Sequence, residues 1–147
     1  MILAAVVLTS VFKTTLLLAS DRQSIKLYIR NESDKAVTIL DPVENGIRYD
    51  LKLVKRRPGR KPDWDIACGP YSHARARTID LEPKEIVERD FELEVGRQYA
   101  GTYVGRVKYQ DEGTYEDETF TPVGMSRIYK LSLVVHPKGT YTALSLK

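Results

Sequence analysis

The sequence predicts an all-β chain folded as a two-sheet antiparallel sandwich of about eight strands. Three observations lead there. Apolar and polar residues alternate with period two in several stretches, most strictly in SIKLYIR from Ser24 to Arg30. Clusters of turn-forming residues separate those stretches at the spacing usual for sandwiches. No segment holds helical periodicity for three turns between capping residues. Composition agrees: 42% of residues are hydrophobic, and Val, Ile, Leu, Thr and nine Tyr outweigh two Met, which suits pleated, half-buried strands. A chain of 147 residues is the size of one domain that can bury a core without covalent staples, so residues 1–147 are read as a single unit.

The first element has two readings. Met1 to Leu8 is apolar, and Leu16-Leu17-Leu18-Ala19-Ser20 follows Lys13. One reading is a first strand, Ala4 to Phe12, then a bend at Lys13-Thr14-Thr15, in a cytoplasmic protein. The other is an export signal within residues 1–20, in an extracytoplasmic one. No basic residue precedes the apolar run, Lys13 interrupts it, and Leu18 sits where a small residue should precede a cut. The strand is favoured. The segment is too short and broken to span a bilayer.

From Ser24 the pattern sharpens. Ile25, Leu27 and Ile29 share one face of SIKLYIR, and Asn31-Glu32-Ser33-Asp34-Lys35 is a polar turn before Ala36 to Leu40. Asp41-Pro42 and Asn45-Gly46 supply turn chemistry, and Arg48 to Val54 alternates again. KRRPGRKPD is a loop tip, with Trp64 and Ile66 on a returning strand. Thr78 to Leu81 is a short strand and Pro83-Lys84 turns the chain, since proline donates no ladder bond. Val87, Arg89, Phe91, Leu93 and Val95 share one face at strand spacing. Gly101-Thr102-Tyr103 opens a strand with Tyr103, Val107 and Tyr109 in phase. Tyr129 to Val135 is stopped by His136-Pro137, and Tyr141 to Leu146 ends the chain. Tyr103, at the start of a late strand, is placed to turn its hydroxyl onto backbone across a corner.

Several of these motifs carry a resemblance. The run from Lys13-Thr14-Thr15 through the alternating strand to Asn31-Glu32-Ser33 resembles the opening of bacterial immunoglobulin-like sandwiches. Leu81-Glu82-Pro83-Lys84-Glu85 is similar to their Leu-x-Pro-Gly-Glu turn, with Lys84 in place of glycine. Gly101-Thr102-Tyr103 is similar to their Pro-Gly-Thr-Tyr motif, with Ala100 in place of proline. Arg48-Tyr49-Asp50-Leu51, a charged hairpin, Trp64 and the Leu-x-Pro turn follow the order of the bacterial intracellular proteinase inhibitor family, over residues 13–110. The resemblance implies an immunoglobulin-like fold and, if it extends to activity, the binding of a serine protease. It carries over no inhibitory residue.

The chemistry-bearing residues are sparse. There is no glycine-rich phosphate loop, His-Glu-x-x-His or paired-cysteine knuckle. Cys68 is the one cysteine, so no internal disulfide forms, and it reads as a structural thiol. His73 and His136 read as exposed turn histidines, since neither lies in a nucleophile motif. No cofactor and no metal are expected, and the chain is read as a non-enzymatic interaction module.

Two opposed charge clusters stand out instead. Lys55, Arg56, Arg57, Arg60 and Lys61 put five cations into seven residues, and Asp111, Glu112, Glu116, Asp117 and Glu118 put five carboxylates into eight. Each is a solvated tip on the simplest reading. The basic one, with Trp64, is the candidate partner-binding surface, for a protein of unidentified kind with an acidic surface or for an anionic polymer. Nucleic acid is disfavoured because single-strand binders use several aromatics along a groove, and net charge is only +3. The acidic run lacks the alternating oxygen spacing of an EF-hand loop. A further alternative is attraction between the clusters, within the chain or between copies. Asn31-Glu32-Ser33 is formally a glycosylation sequon but reads as turn chemistry.

Overall fold

The computed structural model describes residues 11–42, 46–54, 66–68, 77–95, 99–111 and 120–147. These form ten strands: β1 (Phe12–Leu18), β2 (Ser24–Asn31), β3 (Val37–Leu40), β4 (Ile47–Leu53), β5 (Ile66–Cys68), β6 (Thr78–Leu81), β7 (Ile86–Glu92), β8 (Gly101–Tyr109), β9 (Tyr129–Val135) and β10 (Tyr141–Leu146). Among the described residues there is no helix, and every strand pairing is antiparallel. The sheet orders are β1-β2-β7, β10-β9-β8-β4-β5 and β3-β6. The all-β expectation holds, with ten strands in three sheets where about eight in two were expected.

The additional sheet arises from an interruption. β2 pairs with β7 as far as Arg30 opposite Ile86, and β3 pairs with β6 from Val37 opposite Leu81. Between them lie the polar turn 32–36 and the turn 82–85, which sever the ladder because neither is extended. Asn31 joins the two turns. Its side chain points inward, in phase with Ile25, Leu27 and Ile29, and is fully buried. The amide Nδ2 donates to the carbonyls of Lys35 (2.8 Å), Leu81 (3.1 Å) and Glu82 (3.2 Å). Oδ1 accepts from the Ser33 N–H (3.0 Å) and hydroxyl (2.7 Å). A buried amide is tolerated only when its polar atoms are satisfied, and these two motifs do so for each other. The sequon nitrogen is therefore a structural donor inside the fold.

The turn at Pro83 is a type II turn, with the Glu85 N–H donating to Glu82 O at 3.0 Å. Lys84 sits at its third position with φ 67°, a left-handed backbone that favours glycine. Its ammonium reaches Glu32 O at 2.7 Å.

The expected bend at Lys13-Thr14-Thr15 is absent, since all three residues lie within β1. The β1–β2 register runs unbroken from Phe12 opposite Asn31 to Leu18 opposite Ile25. Phe12 and Leu16 are buried and Lys13 and Leu17 exposed, so period two continues through residues read as a bend for their polarity. β-branched threonines suit a strand. The remainder of the expected first strand, Ala4 to Ser10, lies outside the described residues.

One hydrophobic cluster draws on all three sheets, with Leu16, Leu27, Ile39, Leu51, Tyr103, Leu131 and Leu133 at its centre. Tyrosine hydroxyls tie strands together around it. Tyr103 Oη donates to Tyr99 O at 2.8 Å, the corner bond anticipated for that residue. Tyr129 Oη accepts from the Leu16 N–H at 3.2 Å, joining the five-stranded sheet to β1. Tyr141 Oη accepts from the Leu93 N–H at 3.0 Å and donates to Gln23 O. Tyr49 Oη accepts from the Glu94 N–H at 2.8 Å. Tyrosine suits these sites because its ring fills core volume while its hydroxyl satisfies an isolated backbone group. Burial pushes the Tyr103 and Tyr141 phenols above their ordinary range.

Candidate functional site

The residues expected to meet a partner, Lys55, Arg56, Arg57, Arg60, Lys61 and Trp64, lie outside the described residues, as do Glu112, Glu116, Asp117, Glu118 and His73. The roots of both charged segments are described. The basic run leaves β4 at Val54, whose N–H donates to Thr102 O at 2.8 Å. The acidic run leaves β8 at Asp111, whose Oδ2 accepts from the Val123 N–H at 3.1 Å. In the β4–β8 ladder Leu53 is opposite Tyr103 and Ile47 opposite Tyr109. The two roots therefore lie beyond opposite ends of a seven-residue ladder that is itself roughly 20 Å long at about 3.4 Å per residue.

Between those roots the structure assembles a surface that linear reading did not reveal. Period two sends Tyr49, Leu51, Tyr103, Val107, Tyr129 and Leu131 into the core. The alternate positions of β4, β8 and β9 then face away from it, and five of them, Arg48, Lys52, Arg106, Lys108 and Lys130, are basic. Arg48 lies opposite Lys108, and Asp50 opposite Arg106, which lies opposite Lys130. Lys130 and Lys147 exchange backbone hydrogen bonds, extending that row onto the C-terminal strand. One row on, Lys52 is opposite Val104, and Val104 opposite Ser132. Among the described residues six cations share this face with one carboxylate, Asp50.

A shallow groove of about 270 Å³ crosses the face, lined by Arg48, Asp50, Arg106, Lys108 and Ile128 with the Tyr49 and Val107 strand positions. Gly105, in phase with the inward-facing Tyr103 and Val107, lets β8 lie close against β4: a Cβ there would lie 1.8 Å from Asp50 O and 2.7 Å from Leu51 Cα. Ile128 and Met125, on the segment leading into β9, are about half exposed (49% and 57%).

Several cations on other parts of the fold are partnered. On β2, Lys26 meets Glu88 at 2.8 Å and Asp90 at 3.3 Å, and these hydrogen bonds raise its pKa well above the ordinary value for lysine. Arg89 grips Asp41 through Nε (2.8 Å) and a terminal nitrogen (3.1 Å), a fork-shaped contact that raises the guanidinium pKa. Arg30 meets Glu32 at 3.3 Å, and Arg127 lies 3.7 Å over the Tyr129 ring. On the five-stranded sheet, Lys52, Arg106, Lys108 and Lys130 form no ion pair with any described carboxylate. Like charges directly opposite across strands are destabilising, so this face is held together at some cost in stability.

The remaining expectations fall out as follows. His136 is half-buried rather than exposed, with Nε2 2.8 Å from Thr142 Oγ1 across the closing hairpin. Cys68 lies in β5 opposite Tyr49. Among the described residues no three His, Cys, Asp or Glu side chains gather to hold a metal, and no helix is long and apolar enough to cross a membrane.

Five of the six cations of the sheet face are visible as the polar half of an alternating strand, in Arg48/Lys52, Arg106/Lys108 and Lys130. The missing signal was which strands are neighbours. Comparison with known proteins supplies no relative: no family model, curated protein or solved structure matches the chain.

Proposed function

We propose that the protein is a non-enzymatic interaction module, an immunoglobulin-like two-layer sandwich whose basic sheet face and adjoining loop 55–64 receive an acidic protein segment. The observation that carries this reading is a cluster of cations on neighbouring strands that have no ion-pair partner among the described residues. Lys26, Arg30 and Arg89 have carboxylate partners within the fold, whereas Lys52, Arg106, Lys108 and Lys130 have none among the described residues and sit beside one another. An arrangement that opposes folding and favours an anion is the pattern expected of a recognition surface. The Tyr103 corner and the Asn31 junction support the sandwich, since both are devices for fastening connections between sheets. The inward-facing tyrosines leave no aromatic at the paired positions of the cationic rows, which favours carboxylates over stacked bases.

The test is binding of a glutamate-rich peptide to the full chain, measured by titration calorimetry at two salt concentrations. Two variants are compared with the parent, R56E/R57E/R60E in the loop and R106E/K108E on the sheet. Each is expected to weaken binding at least tenfold and to flatten its salt dependence, while remaining folded. Undiminished binding by the sheet variant would remove the face from the account.

A further inference from the structure

We infer that the groove beside Ile128 is a seat for an extended peptide carrying carboxylates at alternate positions and an apolar side chain next to them. This inference rests on the acidic-partner reading and narrows it to a sequence pattern.

Arg106 and Lys108 are two residues apart on β8 and point the same way. Side chains so related are about 6.6–6.8 Å apart, because each residue of a strand advances about 3.3–3.4 Å. A ligand in the same extended conformation repeats its own side chains at that interval. Asp or Glu at alternate positions therefore meets both cations without bending, and a contiguous acidic pair sends one carboxylate to the wrong side. Across the ladder Arg48 stands opposite Lys108 and brings a second cation to one end of the run. At the other end Asp50 stands opposite Arg106 and sets a limit there, disfavouring a third ligand carboxylate over β4.

Ile128 supplies the second requirement. It lines the groove and is half exposed, and an extension of the β8–β9 register by one residue beyond Val107–Tyr129 places it beside Lys108. An apolar ligand side chain there removes its own surface and that of Ile128 from water, which a nucleic acid backbone or a sulfated sugar does not do. The groove volume accommodates side chains of one or two residues rather than a helix. An extended protein segment is thus favoured over other polyanions.

The experiment uses the isotope-labelled full chain and three probes of matched length: a peptide alternating glutamate with valine, a peptide of the same composition with its glutamates in one block, and a single-stranded oligoribonucleotide. Amide shifts are followed on β4, β8 and 125–130. The alternating peptide is expected to bind at least fivefold tighter than the blocked one, with shifts at Arg106, Lys108 and Ile128. Ile128→Ser is expected to weaken the alternating peptide several-fold and leave the oligonucleotide unchanged. Equal affinity of both peptides for this face would overturn the pattern and leave the acidic-partner reading standing. Tighter binding by the oligonucleotide, or shifts from no peptide on this face, would overturn both.

Discussion

Reversing the charge of Lys130 separates the stability of this protein from its binding. Lys130 is exposed and lies between Arg106 on β8 and Lys147 at the end of the C-terminal strand. Lys130→Glu converts two like-charge contacts into two opposite-charge contacts. Cross-strand charge pairs are worth roughly 0.2–1 kcal/mol, and solvent exposure places these toward the lower end. The expected gain is about 1 kcal/mol, or about 2–4 °C in Tm for a chain of this size. The gain is electrostatic, so it should shrink in 1 M salt, where the screening length falls to about 3 Å. Lys130→Gln should recover about half of it. The assay is thermal unfolding followed by circular dichroism at low and high salt, with binding of a glutamate-rich peptide measured in parallel. The reasoning requires Tm to rise as affinity falls. A Tm that is unchanged or lower at low salt, or a gain that persists in 1 M salt, would refute the claim that these cations repel one another.

Other consequences follow from the same structure. Asn31→Ala removes a buried amide that bonds three carbonyls and accepts from Ser33; at about 1–3 kcal/mol per stranded buried group, a loss of about 3 kcal/mol or more is expected in denaturant titration, and a loss under 1 kcal/mol would contradict the junction. Lys84→Gly relaxes a left-handed backbone at the third position of a type II turn and should stabilise by about 0.5–1 kcal/mol, despite losing the bond to Glu32 O; a drop in the denaturant midpoint would show that bond to matter more. Burial raises the phenols of Tyr103 and Tyr141 above their ordinary range. Their stabilising contribution is intact below about pH 10, the unfolded value, and is lost as pH climbs through the higher folded values, because only the unfolded chain then ionises freely. Tm should therefore decline above about pH 10, with part of the phenolate absorbance appearing only on unfolding; complete tyrosine titration of the native protein would exclude it. Excess protein is expected to leave subtilisin-like and trypsin-like proteases active in a chromogenic assay, and stoichiometric inhibition would instead favour the proteinase-inhibitor reading.

How much was legible beforehand depends on the range over which each feature is encoded. Ile25, Leu27 and Ile29 announce an inward face because alternation is a property of seven consecutive residues, and β2, β4, β6 and β9 lie close to where the pattern put them. Tyr103 was recognisable as a corner residue because its partner, Tyr99, is four positions away. The bend expected at Lys13-Thr14-Thr15 does not form because β-branched threonines suit a strand as well as a turn, and Phe12 and Leu16 keep inward phase across it. The loop 55–64 was conspicuous because its charges are contiguous, while the sheet face was hidden because its charges are scattered over nearly a hundred residues.

The sequence by itself determined that strands form, which side of each is apolar, and that the polar sides of Arg48–Lys52, Arg106–Lys108 and Lys130 are basic. Only the tertiary structure decided that these three are neighbours, since antiparallel order and register depend on which distant strands close against each other. The same holds for Asn31. Its side chain looks like a surface turn residue until the segment fifty positions away delivers the carbonyls of Leu81 and Glu82. Local pattern sets the direction of each side chain, and the packing of the core sets which other side chain it meets.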